Sequence, residues 1–258
     1  ITSESAIALA PVPHTARTSL QSLQISALLN SIAVLALLIS VAFMIIQAFA
    51  APIGYLAQSL AVFVGFLLIL ARFLSQHQPL NRFGAANTVT LLRAGIAALF
   101  AGLMVRPAPL PAWAWIMAAL AIVALLLDGL DGWLARRSGM KSPFGARFDM
   151  EVDAFFILIL AVLVWQFGKA GVWVILSGGM RYGFVLLGYA LPWLNQPLPP
   201  RRRRQTVCVI QTVALVLCLT PLLVPPISTV LAAVALGLLA LSFTVDVVWL
   251  WLRKSATC

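Results

Sequence analysis

The residues best suited to chemistry in this chain are four aspartates in two pairs, Asp128 with Asp131 and Asp149 with Asp153. The whole chain has 7 acidic residues, and five of them, counting Glu151, fall between positions 128 and 153. The flanking sequence is apolar enough to lie in a membrane, where ionisable side chains are costly and usually functional. This window is therefore predicted to contain the functional site.

The spacing within each pair places its two carboxylates on one face of an α-helix, because residues three or four apart are neighbours on the helix surface. Between the pairs, Ser142 and Pro143 form the pattern of an N-cap followed by proline at the first helical position. Helices joined by so short a turn pack antiparallel, and at ~1.5 Å of rise per residue both pairs lie roughly 15 Å from the turn. The four carboxylates are therefore predicted to converge at one depth.

This convergence has a direct electrostatic consequence. Without nearby cations the four groups would repel one another and take up protons, unless divalent metal neutralises them. Ligands that are all oxygen favour hard ions such as Mg²⁺, Mn²⁺ or Ca²⁺ over zinc. The pattern thus predicts a site for hard divalent ions between the two helices.

Small residues flank the carboxylates on both predicted helices, at Gly129, Gly132, Ala135 and Gly145. They would clear a groove along the acidic face, although small residues also serve close helix packing in membranes. Arg136 and Arg147 stand nearby in the sequence. A groove that combines carboxylates with arginines suits an anionic ligand bridged to metal.

The elements that must hold this site are membrane helices. The 258 residues are 62% hydrophobic and only 9% charged, which is not the composition of a soluble domain. An α-helix needs ~20 residues to cross the hydrocarbon core, and eight apolar segments approximate that length. The predicted spans are 25–49, 54–74, 88–105, 112–137, 143–167, 171–193, 206–222 and 227–251. The predicted fold class is an all-α polytopic transmembrane helix bundle.

The net charge of +10 raises the alternative of nucleic-acid binding. Under the eight-span arrangement, one side of the membrane holds most of the basic residues, Arg93 included, and the other holds only Arg106 and Lys169. By the positive-inside rule the first side is cytoplasmic, and both termini lie there. The basic residues are therefore interpreted as orientation signals that meet anionic lipid, and nucleic acid is not an expected partner.

The acidic window resembles the signature of the CDP-alcohol phosphotransferases, a family of integral membrane enzymes. The pattern D-x2-D-G-x2-A-R-x8-G-x3-D-x3-D is matched at all eight positions, which are Asp128, Asp131, Gly132, Ala135, Arg136, Gly145, Asp149 and Asp153. Upstream, Asn87, Thr90 and Arg93 are similar to the polar start of the family's first core helix. The resemblance covers about residues 87–252, six spans, which is the family's core number.

The resemblance implies an organisation for the whole chain. A polar tail (1–24) and two added transmembrane helices (25–75) would precede a six-helix catalytic membrane domain (76–252) and a short cytoplasmic tail (253–258). The protein would be integral to a membrane, taken to be a bacterial inner membrane, with its active site facing the cytoplasm. Membrane lipids are expected partners, and a homodimer is left open.

What the resemblance implies for activity is the transfer of a phosphatidyl, or other substituted phosphate, group to an alcohol acceptor in phospholipid biosynthesis. The donor would be a CDP-linked lipid such as CDP-diacylglycerol, and CMP would be released. Asp128, Asp131, Asp149 and Asp153 would hold two divalent ions, Mg²⁺ or Mn²⁺, and Asp153 would also be the general base. Residues that would line the CDP pocket are Asn87, Thr90, Gly132, Ala135, Arg136 and Gly145.

The acceptor stays open, with glycerol 3-phosphate, inositol and inositol phosphate among the family's alcohols. Arg181, alone within a predicted span, could bind an acceptor phosphate, or could instead pair with Asp246 or another carboxylate. The run Arg201 to Arg204 could bind anionic headgroups, although an orientation signal is the favoured interpretation. An intramembrane cation transporter is the alternative class, but it predicts acidic groups spread over several helices and an inverted repeat.

Overall fold

A computed structural model of the chain describes residues 14–105, 111–196 and 202–255. Within these ranges the chain forms eight α-helices, joined by turns and short 3₁₀ segments, and no strand. The helices are α1 His14–Phe49, α2 Gly54–Phe73, α3 Ala85–Gly102, α4 Pro111–Arg137, α5 Pro143–Gln166, α6 Leu176–Ala190, α7 Arg202–Leu219 and α8 Ile227–Ser255. The predicted all-α bundle is confirmed.

Among the described residues, six helices are long and apolar enough to cross a membrane, namely α1, α2, α3, α4, α6 and α8. The other two, α5 and α7, occupy two further predicted spans and carry their charged residues in their N-terminal halves. α5 contains Arg147 and three carboxylates, and α7 begins with three arginines. The chain is thus an integral membrane protein, and α5 carries half of the acidic cluster in its N-terminal half.

α3 lies at the centre of the bundle and packs against α1, α2, α4 and α5. Its apolar span is 72% buried within the protein, whereas the other five candidate spans are between 22% and 28% buried. Small residues such as Ala94, Gly95 and Ala98 keep α3 narrow, which lets neighbouring backbones approach closely. A Cβ at Gly102 would lie only 2.4 Å from Ser59 Oγ on α2, so the packing there requires glycine.

The turn between α4 and α5 has the predicted chemistry. Ser142 is the N-cap of α5, and its Oγ accepts a hydrogen bond from the Gly145 amide at 3.0 Å. Pro143 occupies the first helical position, where a missing amide proton costs nothing. Gly139 supplies a positive φ of 65° in the turn itself. The short connection brings α5 back alongside the helices that surround α3.

α1, α2 and the 3₁₀ turn Leu74–His77 form a unit that we call the N-terminal hairpin. α1 begins at His14, within the segment that the sequence assigned to a polar tail, while residues 1–13 and 256–258 of the two predicted tails lie outside the described residues. Ser26 Oγ accepts from the Phe83 amide at 3.3 Å, and Thr88 Oγ1 donates to Asn30 Oδ1 at 2.9 Å. These bonds fasten the hairpin to the start of α3.

Candidate active site

The four aspartates of the acidic window come together between α4 and α5. Asp128, Asp131 and Asp149 each offer a carboxylate oxygen within 4.8 Å of the other two. The Asp131 side chain is 6% exposed, whereas those of Asp128, Asp149 and Asp153 are 29–37% exposed. The cluster therefore has a closed floor at Asp131 and an open side that a ligand can reach.

A cation from α3 lies in the middle of this cluster. The guanidinium of Arg93 donates to Asp131 Oδ2 at 3.0 Å, to Asp149 Oδ1 at 2.7 Å and to Asp153 Oδ1, and it forms an ion pair with Asp128 Oδ1 at 2.9 Å. Its side chain is only 5% exposed. One guanidinium balances a single negative charge, so four ionised carboxylates around it retain an excess of negative charge.

The expected place of Arg93 among the orientation charges at span ends is wrong. Arg93 lies two turns inside α3, where it is buried and forms ion pairs with the aspartates. Asn87, Thr90 and Arg93 recur every three residues along α3, and all three are buried. Thr90 Oγ1 also donates to Asp131 Oδ2 at 3.2 Å. That three-residue step, which places polar groups on one helix face, was the signal that could have revealed the role of Arg93.

The donor set fits a hard divalent cation. Carboxylate oxygens are the ligands that Mg²⁺ and Mn²⁺ prefer, and three of them lie within 4.8 Å of one another. The excess negative charge around Arg93 gives further positive charge a favourable place to bind. Asp128, Asp131 and Asp149, with Asp153 beside them, are the residues that could hold such ions.

The residues expected to line a nucleotide pocket lie on the two helices that flank the cluster and on α3. Asn87 Nδ2 donates to the Phe83 carbonyl at 2.5 Å, and its Oδ1 faces the first turn of α5. A Cβ at Gly145 would lie 2.8 Å from that Oδ1, so glycine is what allows α5 to approach α3 here. On α4, a Cβ at Gly132 would meet the Arg136 guanidinium at 3.3 Å, and Ala135 is half-buried.

Arg181 on α6 forms an ion pair with Glu151 on α5, with Nη2 2.6 Å from Oε1. Glu151 lies two residues from both Asp149 and Asp153, and residues at that spacing do not share a helix face. Its carboxylate is therefore directed to α6 instead of the cluster. Of the partners foreseen for Arg181, another carboxylate is the one observed. The role in acceptor binding stays a prediction.

Asp246 on α8 pairs with arginines of α7 and not with Arg181, the partner considered for it from the sequence. Arg203 Nη2 lies 2.5 Å from Asp246 Oδ1, and Arg204 Nε lies 3.9 Å from Oδ2. These arginines of the 201–204 run therefore tie α7 to α8, while Arg201 lies outside the described residues. Arg147, expected near the anionic ligand, lies over the Phe73 ring with its Cζ 4.2 Å from the centroid.

A bundle of membrane helices around an acidic cluster defines a membrane protein with a polar site in its core, and comparison with known proteins identifies its family. The family model described as CDP-alcohol phosphatidyltransferase matches residues 83–245, from just before α3 into α8. The chain belongs to the CDP-alcohol phosphatidyltransferase family. The family expected from the signature is confirmed.

Two curated relatives match part of the chain. Ethanolaminephosphotransferase 1 of Homo sapiens is 31% identical over 121 residues, which is 45% of this chain and 25% of the relative. Ethanolaminephosphotransferase 1 of Pongo abelii matches with the same identity and coverage. The chain thus matches about a quarter of the length of these relatives. No solved structure gives a significant match.

Proposed function

We propose that the protein transfers a substituted phosphate group from a CDP-linked donor to an alcohol and releases CMP. The observation that carries this proposal is the convergence of four carboxylates around Arg93, in a chain that belongs to the CDP-alcohol phosphatidyltransferase family. Phosphoryl transfer depends mainly on positioning and on cations that absorb developing charge. A cluster with an excess of carboxylates is suited to collect such cations.

In this proposal Asp128, Asp131, Asp149 and Asp153 hold two divalent ions, Mg²⁺ or Mn²⁺. When bound, the ions would supply positive charge to the diphosphate of the donor. Arg93 keeps the four carboxylates gathered from its position on α3. Asn87, Thr90, Gly132, Ala135, Arg136 and Gly145 line the space for the CDP group.

Asp153 is proposed as the general base. Its side chain is 32% exposed, so an acceptor hydroxyl can reach the carboxylate. Asp153 takes the hydroxyl proton while the acceptor oxygen bonds to the phosphorus that carries the group to be transferred. The bond from that phosphorus to the bridging oxygen breaks, and CMP leaves with the bridging oxygen.

Two kinds of donor fit this chemistry. In the first, the donor is a lipid such as CDP-diacylglycerol, and the acceptor is a small alcohol such as glycerol 3-phosphate or inositol. The second is favoured by the name of the relatives, ethanolaminephosphotransferase 1. By that analogy the donor would be a CDP-linked small alcohol, and the lipid would supply the acceptor hydroxyl.

We further propose that the site opens to the cytoplasm, with both termini on that side, as the distribution of basic residues indicates. The membrane would be a bacterial inner membrane. An intramembrane cation transporter is less consistent with this chain, because five of its 7 acidic residues lie between positions 128 and 153. A transporter would be expected to spread such groups along a path.

The test is a substrate panel with the purified full chain in detergent and Mg²⁺. Donors would be CDP-diacylglycerol and CDP-ethanolamine, and acceptors would be glycerol 3-phosphate, inositol, inositol phosphate and diacylglycerol. CMP release and the mass of the lipid product identify the reaction. Release of CMP from either donor, only with a matching alcohol, supports the proposal. Absence of CMP release from every pair, with folded protein, would refute it.

A further inference from the structure

The N-terminal hairpin braces α5, the helix that carries two of the four aspartates, at several points. Arg147 of α5 lies over the Phe73 ring with its Cζ 4.2 Å from the centroid. Phe66 meets Phe155 edge to face, with ring centroids 5.3 Å apart. The hairpin residues precede the family match, which begins at residue 83. α5 is therefore supported by a unit outside the family region.

His77, the last residue of the hairpin, is fully buried at 0% exposed and makes two directed hydrogen bonds. Its Nε2 lies 3.0 Å from the Arg82 carbonyl oxygen, which can only accept, so in the neutral ring Nε2 carries the proton. Nδ1 is then an acceptor, and the Ser142 hydroxyl donates to it at 2.6 Å. Phe144 packs edge to face on the imidazole, with centroids 5.6 Å apart.

Ser142 connects this histidine to the start of α5. Because the Ser142 proton is directed to His77, the lone pairs of Oγ are free to cap the helix, and Oγ accepts from the Gly145 amide at 3.0 Å. An N-cap residue satisfies an amide that the helix cannot satisfy itself and so defines where the helix begins. Gly145 also lies against Asn87 of α3. The first turn of α5, one turn before Asp149, is thus held between α3 and His77.

We propose that His77 is a positioning residue for the acidic cluster. It orients the Ser142 cap, which fixes the first turn of α5 and with it the placement of Asp149 and Asp153 opposite the aspartates of α4. This gives the N-terminal hairpin a role in the reaction, although it precedes the family region. The inference rests on the proposed function to the extent that the cluster holds divalent ions.

Two amide replacements separate the two hydrogen bonds of His77. Asparagine places an amide oxygen near the position of Nδ1, where it can accept from Ser142. Glutamine places an amide nitrogen near the position of Nε2, where it can donate to the Arg82 carbonyl but leaves Ser142 without its acceptor. His77→Asn should therefore keep the affinity for Mn²⁺, whereas His77→Gln should lower it about tenfold, since losing a hydrogen bond that supports the metal ligands typically costs about 10–100-fold in metal affinity.

The experiment measures the Kd for Mn²⁺ by electron paramagnetic resonance on the purified full chain, together with the Mg²⁺ concentration for half-maximal CMP release. Ser142→Ala should weaken binding as much as His77→Gln, and the double variant should be no weaker than either, because both act through one cap. The matched control is Phe66→Leu, which loosens the hairpin against α5 away from the cap. It should lower thermal stability without changing the Kd for Mn²⁺.

Several outcomes would overturn the positioning role. The first is a wild-type Kd for Mn²⁺ in His77→Gln, and the second is a loss of Mn²⁺ affinity in His77→Asn as large as that in His77→Gln. The third is a double variant whose loss of affinity is the product of the two single losses. The fourth is a Kd in Phe66→Leu that rises as much as in His77→Gln. The two proposals fail separately. Mn²⁺ affinities in the predicted order, without CMP release from any donor, would support His77 and refute the transfer reaction. Mg²⁺-dependent CMP release, with an unchanged affinity for Mn²⁺ in all variants, would support the transfer reaction and refute the positioning role of His77.

Discussion

Arg93 on α3 and Asp149 on α5 form an ion pair at 2.7 Å, and the same guanidinium contacts the three other aspartates of the cluster. α3 is the most buried of the candidate spans, so the Arg93 cation belongs to the most tightly packed helix among them. Arg93 therefore connects the stability of the bundle to the charge state of the site.

Arg93→Gln should lower stability most when divalent ions are absent. Removing one partner of a buried ion pair typically costs about 3 kcal/mol or more, because the remaining charges lose their compensation. Added Mg²⁺ should recover much of this loss by taking over the compensation. The measurement is the Tm in EDTA and in Mg²⁺. Arg181→Gln is the matched control, because it breaks the ion pair with Glu151. Its Tm should fall by the same amount in EDTA and in Mg²⁺. If the Tm of Arg93→Gln also falls by the same amount in EDTA and in Mg²⁺, the prediction is contradicted.

Gly145→Ala should weaken nucleotide binding. The new Cβ would lie 2.8 Å from Asn87 Oδ1, so α5 or Asn87 must shift. Overpacking of this kind typically lowers the stability of the folded protein by about 1–3 kcal/mol. The inhibition constant for CMP should rise about tenfold, the factor that corresponds to roughly 1.4 kcal/mol. Gly183→Ala is the control, since a Cβ there meets nothing within 4 Å. An unchanged constant in Gly145→Ala would remove Gly145 from the pocket.

The architecture could be predicted from the sequence because apolar length and helix spacing are local properties. The starts of α4 and α5 fall within one residue of the predicted 112 and 143, and the Ser142 cap has the predicted bond. The convergence of the aspartates followed from their spacing and the short turn. A specific eight-position pattern then identified the family.

The sequence did not reveal which cations face the cluster, because that depends on packing between helices distant in the chain. Arg93 precedes Asp128 by 35 positions and joins it only because α3 packs against α4. The same holds for His77, which reaches Ser142 across 65 positions. Arg181 met Glu151 and not Asp246 because α6 packs on α5 with that register. Such partners follow from the three-dimensional arrangement alone.

Arg181→Ala tests the acceptor side of the site. If Arg181 binds the phosphate of an anionic acceptor, its loss should raise the acceptor's KM about tenfold while the donor's KM changes little, since a charge-assisted hydrogen bond contributes about 1.5–3 kcal/mol. Glu151→Gln is the matched variant, which releases Arg181 from its partner and should leave the acceptor's KM equal or lower. Wild-type behaviour of Arg181→Ala, with a preference for an uncharged alcohol, would reject the role.

Removal of divalent ions should abolish turnover. The cluster offers oxygen ligands, so Mg²⁺ or Mn²⁺ should restore CMP release after EDTA treatment, and Zn²⁺ should restore it poorly. The measurement is the rate of CMP release after chelation and readdition of each ion. A full rate in excess EDTA would show that the carboxylates act without metal.

The most direct test of the central claim compares turnover with donor binding in two aspartate variants. Asp153→Asn should abolish CMP release while keeping part of the Mg²⁺-dependent binding of the CDP-linked donor, because an amide can coordinate weakly but cannot take a proton. Asp128→Asn should damage donor binding as well as turnover, because Asp128 is one of the three aspartates whose carboxylate oxygens lie within 4.8 Å of one another, whereas Asp153 lies beside them. Appreciable turnover by purified Asp153→Asn, or intact donor binding by Asp128→Asn, would contradict the account.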